Sequence, residues 1–149
     1  MQVIYPIHKN GSHWVLILVK RTAGGRCYDI QWFDSYHQDG STYKDLFERL
    51  YKKLLADKDM ANDNCLEPPN FSMVTVLQQD LDIPKQPNTV DCGVFVCAFA
   101  YCLVHDLPLD TFKAHHMTFF REHMLLTVSS GKLESLIEYQ NSDPGLVSV

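Results

Sequence analysis

Apolar and polar residues alternate with different periods along this chain, and the periods predict its elements. Val15 to Val19 is an unbroken apolar run ending at Lys20. A short run rich in β-branched residues suits a strand buried on both faces. Thr22, Ala23, Gly24 and Gly25 break the chain, after which Tyr28, Ile30 and Trp32 alternate with Asp29 and Gln31. That is the period of a half-buried strand, and the two runs are predicted to pair as a hairpin through Gly24-Gly25. Tyr43, Leu46, Phe47, Leu50, Tyr51, Leu54 and Leu55 follow helical spacing, an amphipathic helix with Thr42 and Asp45 as its capping signal. Phe71 to Leu77 reads as a further strand, and Pro84 to Val90 as a loop stiffened by two prolines. Val94 to Val104 is apolar all round and too long for a buried strand, so a buried helix is expected. Thr111 to Val128 and Leu133 to Tyr139 read as further helices. The order β-β-α-β-α-α predicts an α+β or mixed α/β domain, with no linker or repeat dividing residues 1–149.

Composition narrows the class. With 46% hydrophobic and 21% charged residues the chain falls among globular domains, which removes the disordered and fibrous classes. The formal charge of −5 argues against a basic nucleic-acid face. The longest apolar run has 11 residues, Val94 to Val104, short of the roughly 18 that span a bilayer. No basic segment leads into an apolar one at the N-terminus, so no signal peptide is read. Cys27, Cys65, Cys92, Cys97 and Cys102 are odd in number and irregular in spacing. They do not resemble a disulfide framework, and an intracellular, reducing environment is expected.

The cysteine that changes the picture is Cys92, at the passage from the proline loop into the apolar helix, with Asp91 as a candidate N-cap. Free N–H groups and the positive dipole end of a first helical turn favour a thiolate. Gly93 beside it permits close approach of another backbone. Cys97 and Cys102 point elsewhere on the helix, so the three form no metal site and those two are expected in the core. The alternative reading of Cys92 is one more buried core cysteine.

A thiol nucleophile needs a base and the base an orienting acceptor. His13 stands at the start of the first strand, where a rigid element fixes it. His8 lies in a loop-like stretch and His37 in the loop after the second strand, while His105, His115, His116 and His123 read as surface or helix-face residues. Antiparallel pairing would bring Asp34, at the end of the second strand, beside His13. There it would accept from Nδ1–H and leave Nε2 towards the thiol. Asp34 is otherwise an ordinary turn residue. Gln86, in the rigid loop, offers an amide to an oxyanion, or is simply solvated. These positions permit a Cys–His–Asp site and do not by themselves require one.

Taken together, His13-Trp14 before an apolar strand, Phe33-Asp34-Ser35, and the stretch from Pro84 to Cys97 containing Gln86-Pro87-Asn88-Thr89-Val90-Asp91-Cys92-Gly93 resemble the ubiquitin-like-protein-specific cysteine proteases. These are the SUMO-processing and SUMO-deconjugating enzymes and their relatives acting on NEDD8. Phe119-Phe120-Arg121 through Leu133 resembles the helix pair after the family's nucleophile. The resemblance implies a papain-like fold of the ubiquitin-like protease type, with a small mixed sheet and the nucleophile at a helix N-terminus. It makes Cys92 the nucleophile, His13 the general base and acid, Asp34 its orienter and Gln86 the oxyanion donor. It places Trp14 over the substrate's Gly-Gly tail, with Asn88 and Gly93 among the residues that bind it. It implies cleavage after Gly-Gly of a ubiquitin-like modifier, SUMO or NEDD8, free or conjugated, with no metal, cofactor, nucleic acid or membrane partner. Trp32 does not match the family's second slot tryptophan, and Thr89-Val90 stands where many members have a glycine-containing pair. Family domains carry several dozen residues before the His strand, so 1–149 is expected to be one catalytic domain lacking that segment. The competing expectations are a truncated member that binds without cleaving and a related scaffold for another peptide.

Overall fold

The structure is a computed structural model that describes residues 2–21, 28–37, 44–56 and 83–132. Three strands, β1 (Gln2–Lys9), β2 (His13–Arg21) and β3 (Tyr28–Phe33), form a sheet in the order β1-β2-β3, antiparallel throughout. Helix α1 (Lys44–Ala56) follows, and beyond the proline loop come α2 (Cys92–Val104) and α3 (Met117–Ser130). The expected strand at 71–77 and helix at 133–139 lie outside the described residues.

Strand β2 carries the core on both sides, as its unbroken apolar run predicts. Val15, Ile17 and Val19 pack with Ile30, Trp32, Phe47 and Leu50 on the α1 face. Leu16 and Leu18 pack with Phe33, Phe95 and Phe99 on the α2 face. With both faces buried, the register Leu16↔Phe33 is strongly specified, because a slip of one residue would exchange the two sets. Trp32 meets Phe47 edge-on with centroids 5.9 Å apart. On the other face Phe99 and Phe112 lie 5.4 Å apart, and Phe112 and Phe120 5.5 Å. Truncating fully buried Phe99 to alanine would cost about 3–5 kcal/mol.

Four expectations need correction. The segment before His13 is a strand, not a loop; β1 pairs with β2 from Gln2↔Lys20 to Lys9↔His13. Pro6 fits there because β1 lies at the edge of the sheet formed by the described residues. Asn10 and Gly11 take left-handed φ values of 51° and 71°, and Ser12 N–H donates to Lys9 O to close the turn. The long helix expected from Thr111 begins instead at Met117, after two short 3₁₀ turns. Phe112 and Lys113 are extended there, and the extended backbone accompanies burial of the Phe112 ring. Cys97 is exposed rather than core, since α2 turns one side outward with Val104. His116 and His123, read as surface or helix-face residues, are buried, so the surface half of that reading does not hold for them. Among the described residues no helix is long and apolar enough to cross a membrane.

Candidate active site

The hairpin of β2 and β3 brings His13 and Asp34 together. His13 Nε2 lies 2.8 Å from Asp34 Oδ1, with Asp34 completely buried and His13 nearly so. The same oxygen accepts the backbone N–H of Tyr36 at 2.8 Å. A carboxylate oxygen serving as acceptor requires the proton on the imidazole, so Nε2–H donates and Nδ1 keeps its lone pair. This reverses the assignment expected from sequence. Nε2 is the ring nitrogen farther from the backbone, and reaching across to the end of β3 uses that nitrogen. Nδ1 is buried and has no hydrogen-bond partner. The ring is held in plane by Tyr36, stacked on it at 4.6 Å.

The second half of the site is the loop before α2. Gln86 N–H donates to Ser35 O at 2.8 Å, and Ser35 Oγ donates to Gln86 Oε1 at 2.7 Å. These two bonds tie the buried amide to the residue after Asp34. Gln86 Nε2 then donates to Asn88 O at 2.5 Å. Its other contacts, to Tyr36 Oη and Asn88 Oδ1, are 3.4 Å long, leaving one N–H loosely held. Asn88, expected to bind substrate, directs its side chain into the loop. Its Oδ1 accepts the N–H groups of Val90 and Asp91 at 3.1 Å, and its Nδ2 donates to Asp91 Oδ2 at 2.6 Å.

Asp91 occupies the N-cap position of α2 but makes no side-chain cap. Its carboxylate is taken by Arg121 of α3, which donates to Oδ1 through Nη2 at 2.5 Å and Nε at 3.2 Å. Arg121 Nη2 also donates to Val90 O at 3.0 Å. The hydrogen bond from Asn88, followed by that from Arg121, holds the Asp91 carboxyl below its ordinary range despite desolvation. With Asp91 so engaged, α2 starts on backbone bonds alone, Phe95 N–H to Asp91 O at 2.9 Å. The first-turn N–H of Cys92 therefore has no side-chain cap from that residue.

The two halves meet through the residues that follow His13 and Cys92. A Cβ placed on Gly93 would lie 3.7 Å from Trp14 Cδ1, so the indole edge borders the first turn of α2. Trp14 is 39% exposed, and its other face stacks on His8 at 4.5 Å. Cys92 itself is buried. Nearly three turns along the same helix, burial and the charge of Asp110 push the Cys102 thiol up to about 11. Desolvation around its sulfur also raises the Cys97 thiol, although the residue as a whole is exposed. Among the described residues no cluster of His, Cys, Asp or Glu is arranged to hold a metal ion. Sequence reasoning missed Tyr36 and the Asp91–Arg121 pair; an aromatic directly after Asp-Ser was the available signal for the first.

Residues 2–130 match the Ulp1 protease family, C-terminal catalytic domain. The chain is 30% identical over 123 residues to sentrin-specific protease 2 of Mus musculus, covering 83% of this chain and 19% of that protein. To a sentrin-specific protease of Caenorhabditis elegans it is 33% identical over 136 residues, 91% of this chain and 18% of the relative. It thus spans about a fifth of the length of these relatives. The yeast Ulp1 C-terminal protease domain, solved in complex with the SUMO orthologue Smt3, has a TM-score of 0.64 at 22% identity. That match covers 89% of this chain and 54% of the other. A structure of Ulp1 with its catalytic cysteine oxidised to a sulfenic acid also scores 0.64. These likenesses establish a shared fold.

Proposed function

Because the chain belongs to the Ulp1 family of cysteine proteases, we propose that it is a thiol isopeptidase cleaving after the C-terminal Gly-Gly of a ubiquitin-like modifier. SUMO is the favoured modifier, since the relatives are sentrin-specific proteases and the solved neighbour binds Smt3. NEDD8 is the second candidate. The observation that carries the reading is the His13 Nε2–Asp34 Oδ1 hydrogen bond, which leaves a buried, unpartnered Nδ1 at the sheet edge where Trp14 borders the Cys92 helix.

The chemistry follows from these atoms. His13 Nδ1 takes the Cys92 thiol proton, and the sulfur attacks the carbonyl carbon of the terminal glycine. The oxyanion receives the Cys92 backbone N–H, free in a first helical turn, and the loosely held Gln86 Nε2–H. When the C–N bond breaks, His13 returns its proton to the departing lysine amine, leaving a thioester on Cys92. Water, deprotonated by His13, attacks that thioester; the thiolate departs and the modifier is released as a free carboxylate. Asp34 orients the ring throughout and stabilises the imidazolium. Trp14 over Gly93 narrows the approach, so that glycines pass and side chains do not. Asn88 and Asp91 act by fixing the loop that carries Gln86. An enzyme of this pathway works inside the cell, in the nucleus or cytoplasm, and residues 1–149 belong to its catalytic domain.

The test is turnover of SUMO and of NEDD8 carrying a C-terminal aminocoumarin, by wild type and Cys92→Ala. Fluorophore release that Cys92→Ala abolishes is expected for SUMO. Binding of SUMO without any release by the wild type would overturn catalysis and leave a binding module.

A further inference from the structure

Tyr36, half-buried just beyond the end of β3, contacts both halves of the site. Its ring stacks on the His13 imidazole, with centroids 4.6 Å apart and planes 29° from parallel. Its backbone N–H donates to Asp34 Oδ1 at 2.8 Å, the oxygen that also meets His13 Nε2. Its hydroxyl donates to Asn88 O at 2.9 Å and accepts from Gln86 Nε2 at 3.4 Å. One side chain thus reaches from the sheet to the loop before α2.

The ring and the hydroxyl have separate consequences. An imidazole pinned by one hydrogen bond can still tilt about it, and an aromatic face laid against the ring opposes the tilt. That face presents the negative end of its quadrupole, so the stack strengthens whenever His13 carries a positive charge. The hydroxyl acts on the loop. Asn88 O takes the Gln86 Nε2–H at 2.5 Å and the Tyr36 hydroxyl at 2.9 Å, which fills both lone pairs of that carbonyl. Tyr36 therefore fixes the oxygen that aims the Gln86 amide. The second amide N–H keeps contacts of 3.4 Å, one of them to the same hydroxyl.

Resting on the proposed isopeptidase reading, we infer that Tyr36 is a positioning residue for both halves of the reaction, its ring setting the His13 imidazole and its hydroxyl setting the Gln86 amide. The two roles sit on different atoms, so chemistry can separate them.

Wild type, Tyr36→Phe and Tyr36→Leu are compared in SUMO–aminocoumarin turnover and in the rate at which iodoacetamide alkylates Cys92, read by peptide mapping. Alkylation draws on the thiolate and its base but forms no oxyanion. Tyr36→Phe keeps the ring and loses the hydroxyl. Its kcat should fall about fivefold, the scale of one neutral hydrogen bond, with KM and alkylation within about twofold of wild type. That loss should disappear in a Gln86→Ala background, because the hydroxyl acts through that amide. Tyr36→Leu should lower kcat further and slow Cys92 alkylation about fivefold, the scale of one contact between an aromatic face and a cation. An unchanged kcat in Tyr36→Phe, a loss that persists in full beside Gln86→Ala, or alkylation at the wild-type rate in Tyr36→Leu would overturn the inference alone. So would a raised KM at unchanged kcat, the mark of a residue that binds substrate. A wild type that releases aminocoumarin from neither SUMO nor NEDD8 overturns the parent reading and this inference with it.

Discussion

The two halves of the site are held by different forces. His13 and Asp34 sit on neighbouring strands whose register is set by apolar faces buried on both sides of β2. Gln86 sits in a loop without a ladder, fixed by a relay of polar contacts from Ser35 through Asn88 and Asp91 to Arg121. The proposed base is positioned by hydrophobic burial of a whole sheet, whereas the proposed oxyanion donor is positioned one hydrogen bond at a time. A single polar substitution therefore loosens the loop but leaves the strand register intact. The proposed acid–base pair is expected to fail when one of its own members, or the packing that sets the β2–β3 register, is changed.

The sharpest break in this contrast is Asp34→Asn. It keeps shape and register but removes the acceptor that fixes the proton on Nε2. By analogy with other triads, kcat should fall about 10⁴-fold with the melting temperature little changed. A loss under tenfold would mean that the ring is oriented by Tyr36 stacking alone. Gln86→Ala comes next, with an expected loss of about 10²–10³-fold in kcat and a smaller change in KM. An undiminished rate would confine Gln86 to holding Ser35.

The loop's polar relay should also answer to pH. The folded Asp91 carboxyl titrates below its ordinary 3.8, chiefly through Asn88 and then Arg121. A depressed folded value contributes stability that is present above 3.8 and lost as pH falls through the folded value. Arg121 is 49% exposed at its side chain, so solvent screening keeps the contribution within about 1 kcal/mol. Melting curves of wild type and Asp91→Asn from neutral pH into this acid range should therefore converge as pH falls. Parallel curves would remove the carboxylate's role.

The smallest effect compares two thiols of one helix. Cys102, pushed up to about 11, should resist iodoacetamide at pH 8 until the protein unfolds, while Cys92 is alkylated in the folded state. Peptide mapping reads both; early alkylation of Cys102 would mean that the α2 core opens.

How far the sequence reaches follows the same division. The run Val15–Val19 and the alternation through Trp32 predict β2, β3 and their pairing, and with them the His13–Asp34 neighbourhood. Periodicity sees such features because burial of alternating faces writes them. It does not see which imidazole nitrogen meets Asp34, because that depends on the reach from one strand to the next. Strand β1 is obscured by Pro6 and by His8 and Lys9, although Asn10-Gly11 was a hairpin signal in plain view. The Asp91–Arg121 pair spans two helices, and Asp91 before an apolar helix reads as a cap. The break before Met117 is set by tertiary burial of Phe112, which local propensity does not encode.

The most direct test of the account treats the chain with SUMO bearing a C-terminal electrophile and measures the intact mass. The account predicts one SUMO added to wild type, mapped to Cys92 and absent from Cys92→Ala. It also predicts the adduct to be slowed in Asp34→Asn. No adduct from SUMO, NEDD8 or any other ubiquitin-like protein so tipped, or an adduct that persists in Cys92→Ala, would contradict it.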